Sequence, residues 1–239
     1  MDDSNAENQS ANLIAALRRF ASAPAAVAAA TEKCDLCSVI LADEHQHLFE
    51  PKNRQLLCAC DACSILFSGN AETKYKRVPR RALFLPDFEL SDMQWNDLLI
   101  PIEMAFFFHS TPAQKTVAFY PSPAGTVESL LELDTWAEIE TANPILQKME
   151  ADTEALLVNR TGGKREYFIA PIDECFKLVG LIRTNWRGLS GGAEVWQAVE
   201  GFFGDLQKKS TTKTNEDLKG KFSARETHEG REGKSEMTK

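Results

Sequence analysis

The sequence predicts an α+β fold in which a small cysteine-rich module precedes an antiparallel sheet packed on one side by helices. Three observations carry this. Five of the six cysteines fall between Cys34 and Cys63. Short apolar runs broken by Pro, Gly and Asn follow, as in strands joined by turns. Two segments of helical periodicity then come late, which places helices against a sheet rather than between parallel strands. With 43% hydrophobic residues, 14 Phe and 4 Trp in 239 residues, the chain has enough apolar material for a sizeable core.

The elements follow in order. Residues 1–10 are polar and acidic, and disorder is expected there. Ala11 to Ala23 reads as a short amphipathic helix, with Leu13, Leu17 and Phe20 on one face; together with an Ala/Pro-rich linker this accounts for residues 1–32. The cysteine module spans 33–68. A basic connector, KYKRVPRR, leads to an α+β region over 80–207. Its expected strands are Met104–His109, Thr116–Tyr120 and Val127–Leu133, then Ala155–Asn159 and Glu166–Ala170 flanking a Gly162-Gly163 hairpin turn. A helix is expected from Asp134, its N-cap, to about Met149, broken at Pro144. Further helices are expected over Ile172–Trp186 and from Ala193 to about Leu206. Residues 208–239, with mixed charge and almost no aromatics, read as a disordered tail.

The module reads CDLC, 22 residues, then CDAC. Two residues between cysteines let a tight turn aim both sulfurs at one point. Around a tetrahedral ion with metal–sulfur bonds of about 2.3 Å, the sulfurs sit about 3.7 Å apart. Cys34, Cys37, Cys60 and Cys63 are therefore the expected metal ligands. His47–Glu50 and Gln55–Ala59 form a hairpin around Pro51-Lys52-Asn53, and Asp61–Phe67 starts a helix. A knuckle, a hairpin and a ligand pair at a helix start make a treble-clef arrangement, with a zinc ribbon as the neighbouring option. Tetrahedral thiolates suit zinc or iron. Ser38 and Ser64 stand where rubredoxin-type iron sites carry glycine, which favours zinc. Cys58 is an alternate ligand or a strand residue filling the small core, and His45 and His47 are alternate ligands or partners of the ligands. A site closed by four thiolates leaves no position for substrate, so its expected role is to hold together a segment too small to fold on apolar burial alone.

Two further features offer binding chemistry. Tyr120-Pro-Ser-Pro-Ala-Gly-Thr126 is a stiff connecting loop or a shaped rim presenting Tyr120, Ser122, Gly125, Thr126 and Glu128. Arg183 and Arg187 precede the glycine loop 188–192, which is either a turn between helices or an anion site at a helix start. No GxSxG nucleophile setting and no GxxxxGK[ST] phosphate loop occurs. Cys175 reads as a small buried hydrophobe, and His109 has no acid partner nearby in sequence. With four histidines in all, candidate bases are few, and no catalytic residue is assigned.

Charge narrows the partners. The tail holds nine Lys/Arg against six Asp/Glu, so residues 1–207 carry 18 against 29, a balance of −11. A body this acidic repels a phosphate backbone, so nucleic-acid binding is not expected. Mean hydropathy is −0.31, and no apolar run approaches the ~20 residues of a membrane span. The N-terminus lacks a basic stretch followed by an apolar one, so a cytoplasmic location is expected, where clustered cysteines bind metals rather than pair as disulfides.

Taken in order, CDLC, CACDAC, IPIEMAFFFHS, AFYPSPAG, APIDECFKLVGLIRTNWRG and SGGAEVW resemble an uncharacterised bacterial family whose members are often encoded beside genes for uptake nickel–iron hydrogenases, notably high-affinity types. The resemblance covers about residues 13–206. It implies an accessory, assembly or partner role in a hydrogenase system, with a hydrogenase subunit or maturation factor as the protein partner. It does not imply that this chain binds nickel. The function expected is thus that of a zinc-binding accessory protein. The alternatives are a rubredoxin-like iron electron carrier, and a small-molecule binder or enzyme built on the YPSPAG loop.

Overall fold

The run MAFFFH has no polar alternation, the pattern of a strand covered on both faces, and Met104 to Phe108 are all buried in an inner strand of the larger sheet. The computed structural model describes residues 31–68, 73–129, 135–188 and 190–214. The amphipathic helix expected over 11–23, the N-cap expected at Asp134 and most of the charged tail lie outside these residues.

Among the described residues, ten strands and five α-helices follow one another. The module contributes β1 (Gln46–Glu50), β2 (Gln55–Ala59) and α1 (Asp61–Leu66). Then come β3 (Lys76–Arg77), β4 (Leu83–Phe84), α2 (Asp92–Asp97), β5 (Met104–Ser110), β6 (Lys115–Ser122) and β7 (Gly125–Glu128). The rest is α3 (Trp136–Ala142), β8 (Glu154–Asn159), β9 (Glu166–Pro171), α4 (Ile172–Asn185), α5 (Gly192–Lys209) and β10 (Thr211–Thr212). Pro144 does end α3, and a 3-10 turn continues over Pro144–Lys148. The last helix runs to Lys209, its two terminal lysines lying where the helix dipole favours positive charge. The chain then adds β10 to the sheet.

The larger sheet has seven strands in the order β10-β4-β9-β8-β5-β6-β7. All neighbours are antiparallel except β10 and β4, which run parallel. Alternation along the pleat sorts its residues onto two faces. Phe106, Phe108, Val117, Phe119, Leu157 and Phe168 face α4 and α5, meeting Cys175, Leu178, Val195, Val199 and Phe203. Ala105, Phe107, Leu156, Val158, Tyr167 and Ile169 face Trp95, Leu98, Trp136, Ile139 and Leu146. The sheet is therefore covered on both faces, not one. The second cover comes from α3, within the helix expected before Pro144, and from α2 and the segments around it, which are too short to announce themselves by periodicity. A Ser91–Gln94 capping box starts α2.

The smaller sheet, β2-β1-β3, belongs to the module. Phe49 of β1 is fully buried within the core of the large sheet. Two ion pairs and a hydrogen bond reinforce the junction: Arg54 to Glu128 at 2.5 Å, Lys76 to the buried Asp152 at 2.6 Å, and His47 Nδ1 to the Asp173 carboxylate at 2.8 Å. The described residues from Lys33 to Thr214 belong to one compact unit. Among the described residues no helix is long and apolar enough to cross a membrane.

Candidate metal centre

A knuckle supplies the first sulfur pair. The Ser38 N–H donates to the Cys34 carbonyl at 2.7 Å and the Cys34 N–H donates to Val39 at 2.9 Å, folding the CDLC turn back on itself. Ser38 takes a positive φ of 64° to close it, without the glycine that usually eases that conformation. The Asp35 carboxylate accepts from the Cys58 N–H at 2.7 Å, and the Asp35 N–H donates to the Cys58 carbonyl at 2.9 Å. The knuckle is thereby fixed to β2.

The second pair sits at the start of α1. Cys60 is the N-cap, its sulfur accepting from the Cys63 N–H at 3.4 Å, and Cys63 occupies the first turn. Hence Cys34, Cys37, Cys60 and Cys63 converge, their sulfurs all within 4.8 Å of one another. None is in a disulfide. Cys37 and Cys60 are 3.7 Å apart sulfur to sulfur, the edge of a tetrahedron drawn around an ion with bonds of about 2.3 Å. Both the donor set and this spacing fit a metal ion.

Electrostatics point the same way. Burial works against a thiolate at Cys34, but the backbone N–H groups of Cys60, Leu36 and Cys37 donate to its sulfur and lower its pKa to about 6. The next sulfurs resist. Burial, then the adjoining Cys60, Cys37 and Cys34 sulfurs, push Cys63 up to about 12. At Cys37 the Val39 N–H favours the thiolate, but the Cys34 sulfur and burial outweigh it and the pKa rises. Several negative sulfurs at one point disfavour each other, and a divalent cation between them removes that conflict.

Cys58, His45 and His47 do not join this cluster. Leu48, Leu57 and Ala59 point from one face of the hairpin to Cys34 and Cys63. Cys58 and His47, paired across the strands, point from the other face. There they form a separate group with His45, one donor atom from each lying within 4.8 Å of the others. Asp173, 126 residues beyond His47, completes this neighbourhood. It sits in the sequence only as an acidic residue in the first turn of a helix, a position the helix dipole alone would explain.

The YPSPAG segment forms a two-residue hairpin turn, Ser122 pairing with Gly125. The Ser122 hydroxyl closes it, donating to the Gly125 carbonyl at 2.9 Å and accepting from the Ala124 N–H at 3.2 Å. Tyr120 pairs with Val127 and Thr126 with Pro121 within the strands, and Glu128 is held by Arg54. Arg187 turns its guanidinium onto the Thr184 and Trp186 carbonyls at the end of α4, while Arg183 is exposed on that helix. This is turn and helix-cap chemistry. Cys175 is fully buried, and burial raises its thiol well above the ordinary range.

Residues 33–210 match the family model described as a family of unknown function, DUF5947, and the chain belongs to that family. The match begins one residue before the first ligand pair and ends after α5, so it takes in the whole cluster and both helices over the large sheet. No curated protein and no solved structure matches the chain.

Proposed function

We propose that the chain is a cytoplasmic zinc-binding accessory protein that acts by contact with another protein, and that its partner is a subunit or maturation factor of a nickel–iron hydrogenase. The observation that carries the reading is where exposed apolar side chains lie. Val39, Ile40, Ile65, Leu66 and Phe67 are 43% to 74% exposed. Val39 follows Cys37 by two residues and Ile65 follows Cys63 by two, so each ligand pair is followed directly in the chain by exposed apolar residues. Only Met93, Leu99 and Trp196 are comparable among the other described residues. Apolar side chains gathered around a rigid, metal-held frame suit a protein interface. The closed donor set supports a structural ion over a reactive one. The hydrogenase partner rests on the resemblance described above.

Elemental analysis of anaerobically prepared protein tests the metal: zinc gives a colourless sample, whereas iron in four thiolates gives a red one and would replace this reading by electron transfer. Co-expression with the subunits and maturation factors of a hydrogenase tests the partner. Retention of one of them, lost on Leu66→Asp, is the expected result. No retention under any condition would overturn the partner.

A further inference from the structure

We infer that His45, His47 and Cys58 form a second metal site, distinct from the four-cysteine cluster, that takes a divalent transition metal of the zinc class on three protein donors and leaves a fourth position for solvent or a small ligand. The inference does not depend on what fills the four-cysteine cluster. The hairpin register creates the site: His47 and Cys58 are direct cross-strand partners, and His45 lies two residues before His47 on the same side. The two imidazole rings meet edge-on at 4.8 Å between centroids.

Both rings are already set for coordination. His45 places Nδ1 3.0 Å from the Ala42 carbonyl, and His47 places Nδ1 2.8 Å from the Asp173 carboxylate. Each of these oxygens can only accept, so each Nδ1 carries a proton, and in the neutral ring the lone pair is left on Nε2. A histidine whose other nitrogen donates to a carbonyl or carboxylate is the usual form of a metal-bound histidine, its ring orientation fixed and its basicity raised. Asp173 is itself held, its second oxygen accepting from the Glu174 N–H at 2.8 Å. Cys58 supplies the sulfur, and Asp35 fixes the backbone on either side of it.

One ring nitrogen of each histidine and the Cys58 sulfur lie within 4.8 Å of one another. Coordination at about 2.1 Å to nitrogen and 2.3 Å to sulfur requires roughly 3.4–3.6 Å, so small side-chain rotations close the site. Three mixed nitrogen and sulfur donors are the set found in zinc sites that keep a position open. His47 retains 25% of its side-chain exposure, so an ion and an added ligand have a way in. A docking contact between His47 and Asp173 alone would explain neither the setting of His45 nor the sulfur opposite.

The test counts metal in the full-length chain, loaded with Zn(II) or Co(II) and freed of excess. Two ions per chain are expected, falling to one in His45→Ala and in Cys58→Ala. Asp173→Asn should weaken the second ion about 10–100-fold and leave the first unchanged. In the unaltered chain, Cys58 alkylation followed by mass spectrometry reads the same site without a variant. The first equivalent of zinc should shield the four clustered cysteines and the second should slow Cys58. An ion count that stays the same in His45→Ala and Cys58→Ala as in the unaltered chain, or a Cys58 rate that no added equivalent of zinc slows, would each overturn the proposal.

Discussion

Phe49 and Phe108 meet edge to face, their ring centroids 6.5 Å apart and their planes at 89°. One ring comes from the first strand of the cysteine module and the other from β5, an inner strand of the large sheet. Both are buried, so the module is anchored in the main core as well as by its own sulfurs.

Phe49→Ala should therefore cost about 3–5 kcal/mol, the usual loss for a buried phenylalanine including the cavity left behind. Urea denaturation followed both by tryptophan fluorescence and by cobalt–thiolate absorption measures it. One shared transition is expected, shifted to lower urea in the variant.

Removing the metal should act locally first. The module's own apolar core is small, resting on Leu48, Leu57 and Ala59 beside the cysteines. After chelation, amide exchange over residues 33–68 should rise well before exchange in β5 and β8. Equal acceleration in both regions would show that the ion supports the whole unit.

Arg81 grips the fully buried Glu154 with two hydrogen bonds, of 2.5 and 2.7 Å. Arg81→Ala strands that carboxylate with only the Glu150 N–H to satisfy it. About 2–3 kcal/mol should be lost, less than for a fully buried pair because Arg81 is half exposed. Adding Glu154→Gln to Arg81→Ala should recover part of the loss, a test that a double-mutant cycle makes quantitative.

Asp92 receives the Arg160 guanidinium, which with Arg165 holds its carboxyl below the ordinary carboxylate range. Arg160 is buried and stacks on Trp95 with its charged carbon 5.2 Å from the ring centre. A depressed carboxylate stabilises the fold above its unfolded value and loses that contribution as pH falls through the folded one. Wild type should thus melt higher than Asp92→Asn at pH 7. The gap should shrink once the pH drops below about 3.9.

Leu66 is 74% exposed at the end of α1, so Leu66→Asp should change stability by no more than about 0.5 kcal/mol. Thermal melting checks this and ensures that any loss of partner retention in the same variant reports a surface rather than a fold.

What the sequence made legible was local. The CxxC pairs, the hairpin between them, strands β5, β6, β8 and β9 and both long helices follow from spacing, alternation and turn residues within a short window. The Ser91–Gln94 capping box at α2 was not read from the sequence, because the apolar pattern of that six-residue helix is too short to show. Other features depended on distant pairing. β3 and β4 are two residues each and exist because β1 and β9 offer edges to them. The grouping of His45 and His47 with Cys58 rather than with the four cysteines needed the strand register, and Asp173 needed the tertiary fold.

The β1–β2 hairpin also limits how the gene can vary. Successive residues serve opposite sides, so one codon gained or lost within either strand would carry Leu48 or Leu57 to the histidine side and His47 or Cys58 to the cysteine side. Two codons together would restore the order. Length changes tolerated in this hairpin should accordingly come in pairs, or be confined to the turn at Pro51–Arg54.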